Sequence, residues 1–184
     1  MKNLLSCLLA MCVVLGAGCV QNNYSGYTYT PRQKQKSYTV DSSKASYSDK
    51  NISISIAPSE IHTGSIEGFV LSIENKTNND IHVVWNDSYY INGDFPDGGF
   101  MFEGVVYSER TAPKQDLLVF PKTKRDIKIF PNTKVEYMRP TVVAHTVLPG
   151  GWLHNDLEAG VHGAYVMVKG KGINKRIKLL LTVS

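Results

Sequence analysis

Apolar and polar residues alternate with period two along most of the chain beyond residue 50. Ile52, Ile54 and Ile56 are separated by Ser53 and Ser55, and Phe69, Leu71 and Ile73 repeat the pattern. Ile81, Val83 and Trp85 follow the polar run 75–80. Side chains two apart share one face of an extended chain, so this alternation predicts half-buried strands. Tyr89 with Ile91, 100–107, 117–120, Ile127 with Ile129, 161–168, and the series Ile177, Leu179, Leu181, Val183 read as further strands. Pro58, Pro96, Pro113, Pro121, Pro131, Pro140 and Pro149 are expected between them, because proline cannot donate to a sheet ladder. No apolar period of 3.6 is sustained after residue 20. The expected fold is all-β: an antiparallel, immunoglobulin-like β-sandwich over residues 51–184. That length buries about two-thirds of the unfolded surface, enough for a core without disulfides.

The first residues follow another logic. Lys2 precedes a run, 4–15, that is apolar except for Ser6. It is shorter than the roughly 20 residues a membrane-spanning helix needs, and it has the layout of a secretory signal peptide. Its end, Leu15-Gly16-Ala17-Gly18-Cys19, resembles the lipobox of bacterial lipoproteins. Small residues at Ala17 and Gly18 suit the cleft of the processing peptidase. Gly16 departs from the commoner leucine, which stands one place earlier as Leu15. The resemblance implies that Cys19 receives a diacylglyceryl group, that residues 1–18 are removed, and that the new amine is acylated with a fatty acid such as palmitate. Val20 then stands where an aspartate would retain a lipoprotein in the inner membrane, so the expected address is the outer membrane of a Gram-negative cell. The other cysteines, Cys7 and Cys12, lie within the leader, which excludes a disulfide framework or a thiol nucleophile from the body.

Residues 20–50 carry no Leu, Ile, Met or Phe. Such a segment buries too little apolar surface to offset its chain entropy, and 19–50 reads as the lipidated cysteine and a flexible tether. Arg32, Lys34, Lys36, Lys44 and Lys50 against Asp41 and Asp49 give it a charge of +3, while 51–184 holds 14 basic and 14 acidic residues. The chain's basic balance thus belongs to its leash, which favours anionic head groups, and a neutral body argues against nucleic acid. The tyrosines of the leash (24, 27, 29, 38 and 47) would stack on cell-wall sugars or are simply part of its composition. Asp49-Lys50-Asn51-Ile52-Ser53 resembles an extended bacterial glycosylation sequon on Asn51.

The body also resembles a group of uncharacterised bacterial lipoproteins with a single immunoglobulin-like domain. The resemblance rests on Asn75-Lys76-Thr77, 81–86, 89–91, 104–107, Pro121, 129–131, Gly150-Gly151-Trp152 and 157–160. It implies fold and compartment, and it carries no catalytic residues.

Candidate chemistry is sparse. Trp85, at the end of an alternating strand, reads as a core plug. Trp152 follows two glycines that would let the chain turn sharply and free the indole, which makes it the best candidate binding residue. His154, Asp156 and Glu158 alternate opposite Leu157 and form a weak set of metal ligands. His145 and His162 would join only if the fold brought them near, and a solvated outer face explains the pattern as well. Asn92, Asp94 and Asp97 among Gly93, Gly98 and Gly99 lack the spacing of a calcium loop. Gly64-Ser65-Ile66-Glu67-Gly68 misplaces the serine of a nucleophile elbow. Lys169, Lys171, Lys175, Arg176 and Lys178 surround Gly170 and Gly172 as a basic hairpin tip, which would touch anionic lipid or guard a strand edge.

No cofactor or catalytic residue is expected. The expected role is non-enzymatic binding or a structural part at the envelope, with the bilayer, an envelope protein or a cell-wall polymer as partner. A hydrolase or hydrolase inhibitor, the latter acting through the loop 92–99, and an exclusion lipoprotein blocking a receptor are the alternatives.

Overall fold

Period-two alternation produces two antiparallel sheets facing each other across one core. The structure, a computed structural model, describes residues 40–41, 44–61, 65–143, 146–148 and 150–184, without the side chains of 40, 60, 61, 65, 143, 148 and 152–154. Its first strands are β1 (Val40–Asp41), β2 (Ser46–Ser48), β3 (Ile52–Ile61), β4 (Ser65–Asn75), β5 (Ile81–Val83) and β6 (Tyr89–Asn92). There follow β7 (Phe95–Pro96), β8 (Phe100–Phe102), β9 (Leu117–Val119), β10 (Lys124–Pro131) and β11 (Val135–Met138). The last are β12 (Thr141–Val143), β13 (Thr146–Leu148), β14 (Gly151–His154), β15 (Gly160–Gly170) and β16 (Ile173–Val183). One sheet runs β2-β3-β4-β10-β8. The other runs β1-β16-β15-β5-β9, with β6 beside β15 further along its edge and β7 outside β6.

The inward residues are those the alternation marks. Ile52, Ile54, Ile56, Phe69, Leu71 and Ile73 from one sheet meet Ile81, Val83, Val166, Val168, Leu179 and Leu181 from the other. Trp85 is buried in the same core, edge-on to Phe100 and 5.3 Å from Phe102 between ring centroids. The sandwich is therefore all-β and antiparallel, as expected. Gly163 lets the long hairpin of β15 and β16 close: a Cβ there would lie 2.1 Å from the Leu179 carbonyl oxygen.

Four details depart from the alternation. The sheets take in residues that composition gives to the leash: Val40 pairs with Val183, Tyr47 with Ile54, and Ala45 is buried in the core. Pro96 and Pro131 close β7 and β10 rather than falling between strands, and Pro58 lies inside β3, opposite Phe69. Its flank is open because β2 reaches only Ser53–Ser55, so no ladder donor is lost. The expected strand 100–107 stops at Phe102, and 107–109 form a 3-10 turn. That excursion covers Met101, Phe130 and Val135, a second small core on the outer face of its sheet. Finally, Tyr89 with Ile91 is not the inward pair of β6: Tyr90 between them is fully buried in the core and Tyr89 is 42% exposed.

Candidate functional site

Cys19 and His145 lie outside the described residues, as do the leader and the leash up to residue 39. Trp152 belongs to β14, opposite Tyr137 of β11. Gly150 does not make the sharp turn expected of it; it permits close approach, because a Cβ would sit 2.7 Å from both the Met138 oxygen and the Pro140 ring.

His154 is opposite Val135 in the same ribbon. Asp156 and Glu158 are exposed in the loop that follows, while Leu157 between them is buried. The loop is held by its backbone, with Asn155 N–H donating to the Lys134 oxygen at 2.8 Å and Leu157 N–H to the Ile66 oxygen at 2.7 Å. Among the described residues, no group of three or more His, Cys, Asp or Glu is placed to hold a metal.

His162 points into the core instead, 3% exposed. Its Nε2 lies 2.8 Å from the Glu158 carbonyl oxygen, which can only accept, so Nε2 carries the proton. Nδ1 then accepts from the Tyr90 hydroxyl at 2.7 Å. Burial holds the imidazole below its ordinary pKa, with Lys134 adding to the shift against the opposing pull of the Glu158 carbonyl and carboxylate. Burial likewise raises the Tyr90 phenol. Sequence reasoning missed this pair, since its residues are 72 positions apart. The alternation pointed away from it, because Tyr89 with Ile91 reads as the inward pair of this strand while Tyr90 between them is the residue that is fully buried.

A cleft of about 240 Å³ opens beside Trp85, lined by Ser88, Tyr89, Arg110, Lys114 and Asn132 among others. Its polar groups hold the backbone. Asn86 exchanges two hydrogen bonds with the main chain of Lys114, at 2.9 and 3.2 Å. Asn132 accepts from Gly99 N–H at 3.1 Å and donates to the Arg110 oxygen at 3.2 Å. The Lys114 ammonium caps the carbonyls of Glu109, Arg110 and Ala112. Ser88 donates its hydroxyl to the Val84 oxygen and accepts from Met167 N–H. The Arg110 guanidinium lies 4.3 Å from the centre of the Tyr107 ring. This arrangement offers a planar cation to a ligand, and burial lowers the pKa of the Lys114 ammonium against the opposing pull of Glu109.

The other sequence candidates take structural places. Asp49 accepts from Asn51 N–H, Ile52 N–H, Tyr47 Oη and Lys175 Nζ. These bonds, Lys175 first, hold its carboxyl well below the usual range. The basic hairpin tip is partly neutralised, with Lys169 on Asp87 at 3.0 Å and Lys175 on Asp49. The loop 92–99 is a tight hairpin, with Asn92 opposite Phe95 and Asp97 N–H donating to the Tyr90 oxygen at 2.8 Å.

A two-stranded surface feature stands apart from these. β11 pairs with β14 and β12 with β13 in a single register, Tyr137 opposite Trp152 and Val142 opposite Val147. Together they form one two-stranded ribbon, Val135 to His154. Every described side chain from 136 to 142, with 146 and 147, is exposed. Tyr137, Met138, Val142 and Val147 are 47%, 52%, 68% and 65% exposed. The ribbon's base is tied to the body through buried Val135 beside Met101 and Phe130 and through Tyr137 against Tyr107 at 5.5 Å, and Asn155 Nδ2 donates to Glu136 at 3.0 Å.

No family model, curated protein or solved structure matches the chain.

Proposed function

We propose that the chain is an envelope lipoprotein, anchored to the outer membrane through acylated Cys19, whose sandwich binds a partner rather than turning over a substrate. The observation that carries this reading is Leu15-Gly16-Ala17-Gly18-Cys19 at the end of a short apolar leader, with no cysteine after it. Two or more acyl chains make such an anchor stable where a single one does not. Confinement to a membrane raises the domain's concentration near any partner on that surface. The use of Asn86, Lys114, Asn132 and Ser88 to hold main chain supports binding over catalysis at the cleft.

Mass spectrometry of the mature protein tests the anchor. The expected N-terminal residue is Cys19 bearing a thioether-linked diacylglyceryl group and an amide-linked acyl chain. An unmodified cysteine, or cleavage elsewhere, overturns it. Recovery of an envelope protein or polymer with the anchored protein supports the binding role, and turnover of a substrate without any such partner refutes it.

A further inference from the structure

We propose that the ribbon Val135–His154 is a second, non-covalent membrane contact, its far half resting in the head-group boundary of a lipid bilayer. The inference goes beyond the anchor and uses that reading only to place a bilayer within reach.

A two-stranded ribbon is marginal in water unless one face is covered. Here every described side chain toward the tip is exposed, and these include the apolar Met138, Val142 and Val147 beside the uncharged Thr141 and Thr146. Residues 140–153 contain no Asp, Glu, Lys or Arg, and His145 is their one ionisable group. Arg139 is the last fixed charge before this run. One step below it Tyr137 stands opposite Trp152 in the register.

Uncharged tip, then cation, then an aromatic pair level is the order an interface-resting element needs. Aromatic residues settle at head-group depth, and basic residues favour the anionic surface. From Arg139 to the end of β12 the ribbon advances about 14 Å, at about 3.4 Å per residue. That suits an element dipping about 5–10 Å below the head groups. It does not suit a spanning one, because the open strand edges could not be satisfied in hydrocarbon.

The chain outside the described structure allows the approach. Residues 20–39 link Cys19 to β1, and fully extended they reach about 70 Å. A domain of this size can therefore turn any face toward the bilayer that holds its anchor. A second copy of the chain would cover the same residues, but the fixed charge at Arg139 followed by an uncharged tip favours lipid.

The test uses the full chain, expressed with its leader and reconstituted in phosphatidylethanolamine–phosphatidylglycerol vesicles. After leader removal and acylation of Cys19 the protein has no free thiol. Val142→Cys can then carry a single environment-sensitive fluorophore. Val147→Cys is a second site, and Lys171→Cys a control in the β15–β16 turn. β15 carries the chain about 34 Å from Gly160 to that turn.

The expected result is a blue shift of emission at 142 and 147, with loss of intensity when the lipids carry bromine on their upper acyl chains, and neither change at 171. Water-like emission at 142 and 147 in protein that mass spectrometry shows to be acylated overturns the proposal and spares the anchor. A blue shift without vesicles that grows with protein concentration assigns the face to a second copy and also overturns it. A second label at Cys19 refutes the anchor instead; the probes are then remade with Cys19→Ser, offered preformed vesicles, and judged by the same readings. Unfolding curves matching the unlabelled protein show that each label leaves the fold intact.

Discussion

The sandwich body and the ribbon that leaves it are built from the same alternating residues, yet only one accounts for its own stability. In the body, Phe69 and Leu179 are fully buried from opposite sheets. In the ribbon, Val142 and Val147 face each other across the strands and are otherwise open to solvent. Alternation therefore specifies a strand but not a partner sheet. The sharpest way to break the comparison is to remove equivalent apolar groups from each. Phe69→Ala is expected to cost about 3–5 kcal/mol in denaturant-induced unfolding, because a ring and its packing are lost to a cavity. A loss below about 1 kcal/mol would mean that the two sheets do not share one core.

A single polar residue comes next in size. Asn75 is fully buried between β4 and β5. Its Nδ2 donates to the carbonyls of Asn79, Val119 and Phe120 at 2.8, 3.0 and 3.1 Å. Its Oδ1 accepts from Thr77 N–H and Oγ1. Asn75→Ala leaves those carbonyls without a partner and is expected to cost about 2–3 kcal/mol by the same measurement. Asn75→Asp should be no milder, since an acceptor would face three acceptors.

Asn75 also marks how far the sequence could be read. The strands of the body were legible because their alternation is long and their turns polar. The roles of Asn75, Asn86 and Asn132 were not, because each one's worth depends on carbonyls brought from distant segments: Val119, Lys114 and Arg110. Asn75, Asn86 and Leu157, each part of a motif in the sequence, prove to be fold-holding. The ribbon was missed for a different reason. Pro140 and Pro149 read as breakers, yet Gly150 leaves room for the Pro140 ring and the register continues from Tyr137 opposite Trp152 to Val143 opposite Thr146. At the candidate site, Leu157 was correctly placed inward between exposed Asp156 and Glu158. His162 was not legible, since its partners are a tyrosine from another strand and a main-chain oxygen.

His162 gives a pH test confined to the body. Its pKa is lowered in the folded state, so the unfolded chain binds the proton more tightly. Stability from this group is complete above the unfolded value of about 6.5 and declines as pH falls below it toward the depressed folded value. Protonation also turns Nδ1 into a donor facing the Tyr90 hydroxyl, breaking the existing bond. Unfolding midpoints are expected to fall from about pH 6.5 downward in the native protein and to stay flatter in His162→Gln. Asp49 is also held below its ordinary value, by bonds to its charged form rather than by burial, and acts in a separate, more acidic window. Its contribution is present above the ordinary aspartate value and lost at more acidic pH. An unchanged slope near pH 6 in His162→Gln would place the proton uptake on another group.

The smallest expected stability effect is the most informative about the ribbon. Val142→Ser with Val147→Ser replaces a facing apolar pair whose side chains are 68% and 65% exposed. A cross-strand pair contributes roughly 0.2–1 kcal/mol to its own hairpin, but the body does not lean on that hairpin. The change in unfolding free energy of the whole domain is therefore expected to stay within about 0.5 kcal/mol, as for surface substitutions elsewhere. A loss of several kcal/mol in the isolated protein would mean that the ribbon is structural after all. A silent substitution in solution, set against the large cost of Phe69→Ala, would show that the apolar character of 142 and 147 is not maintained by folding. Met138, Val142 and Val147 would then be explained by what the ribbon meets outside the chain, which is the case in which the vesicle experiment decides between lipid and a second copy.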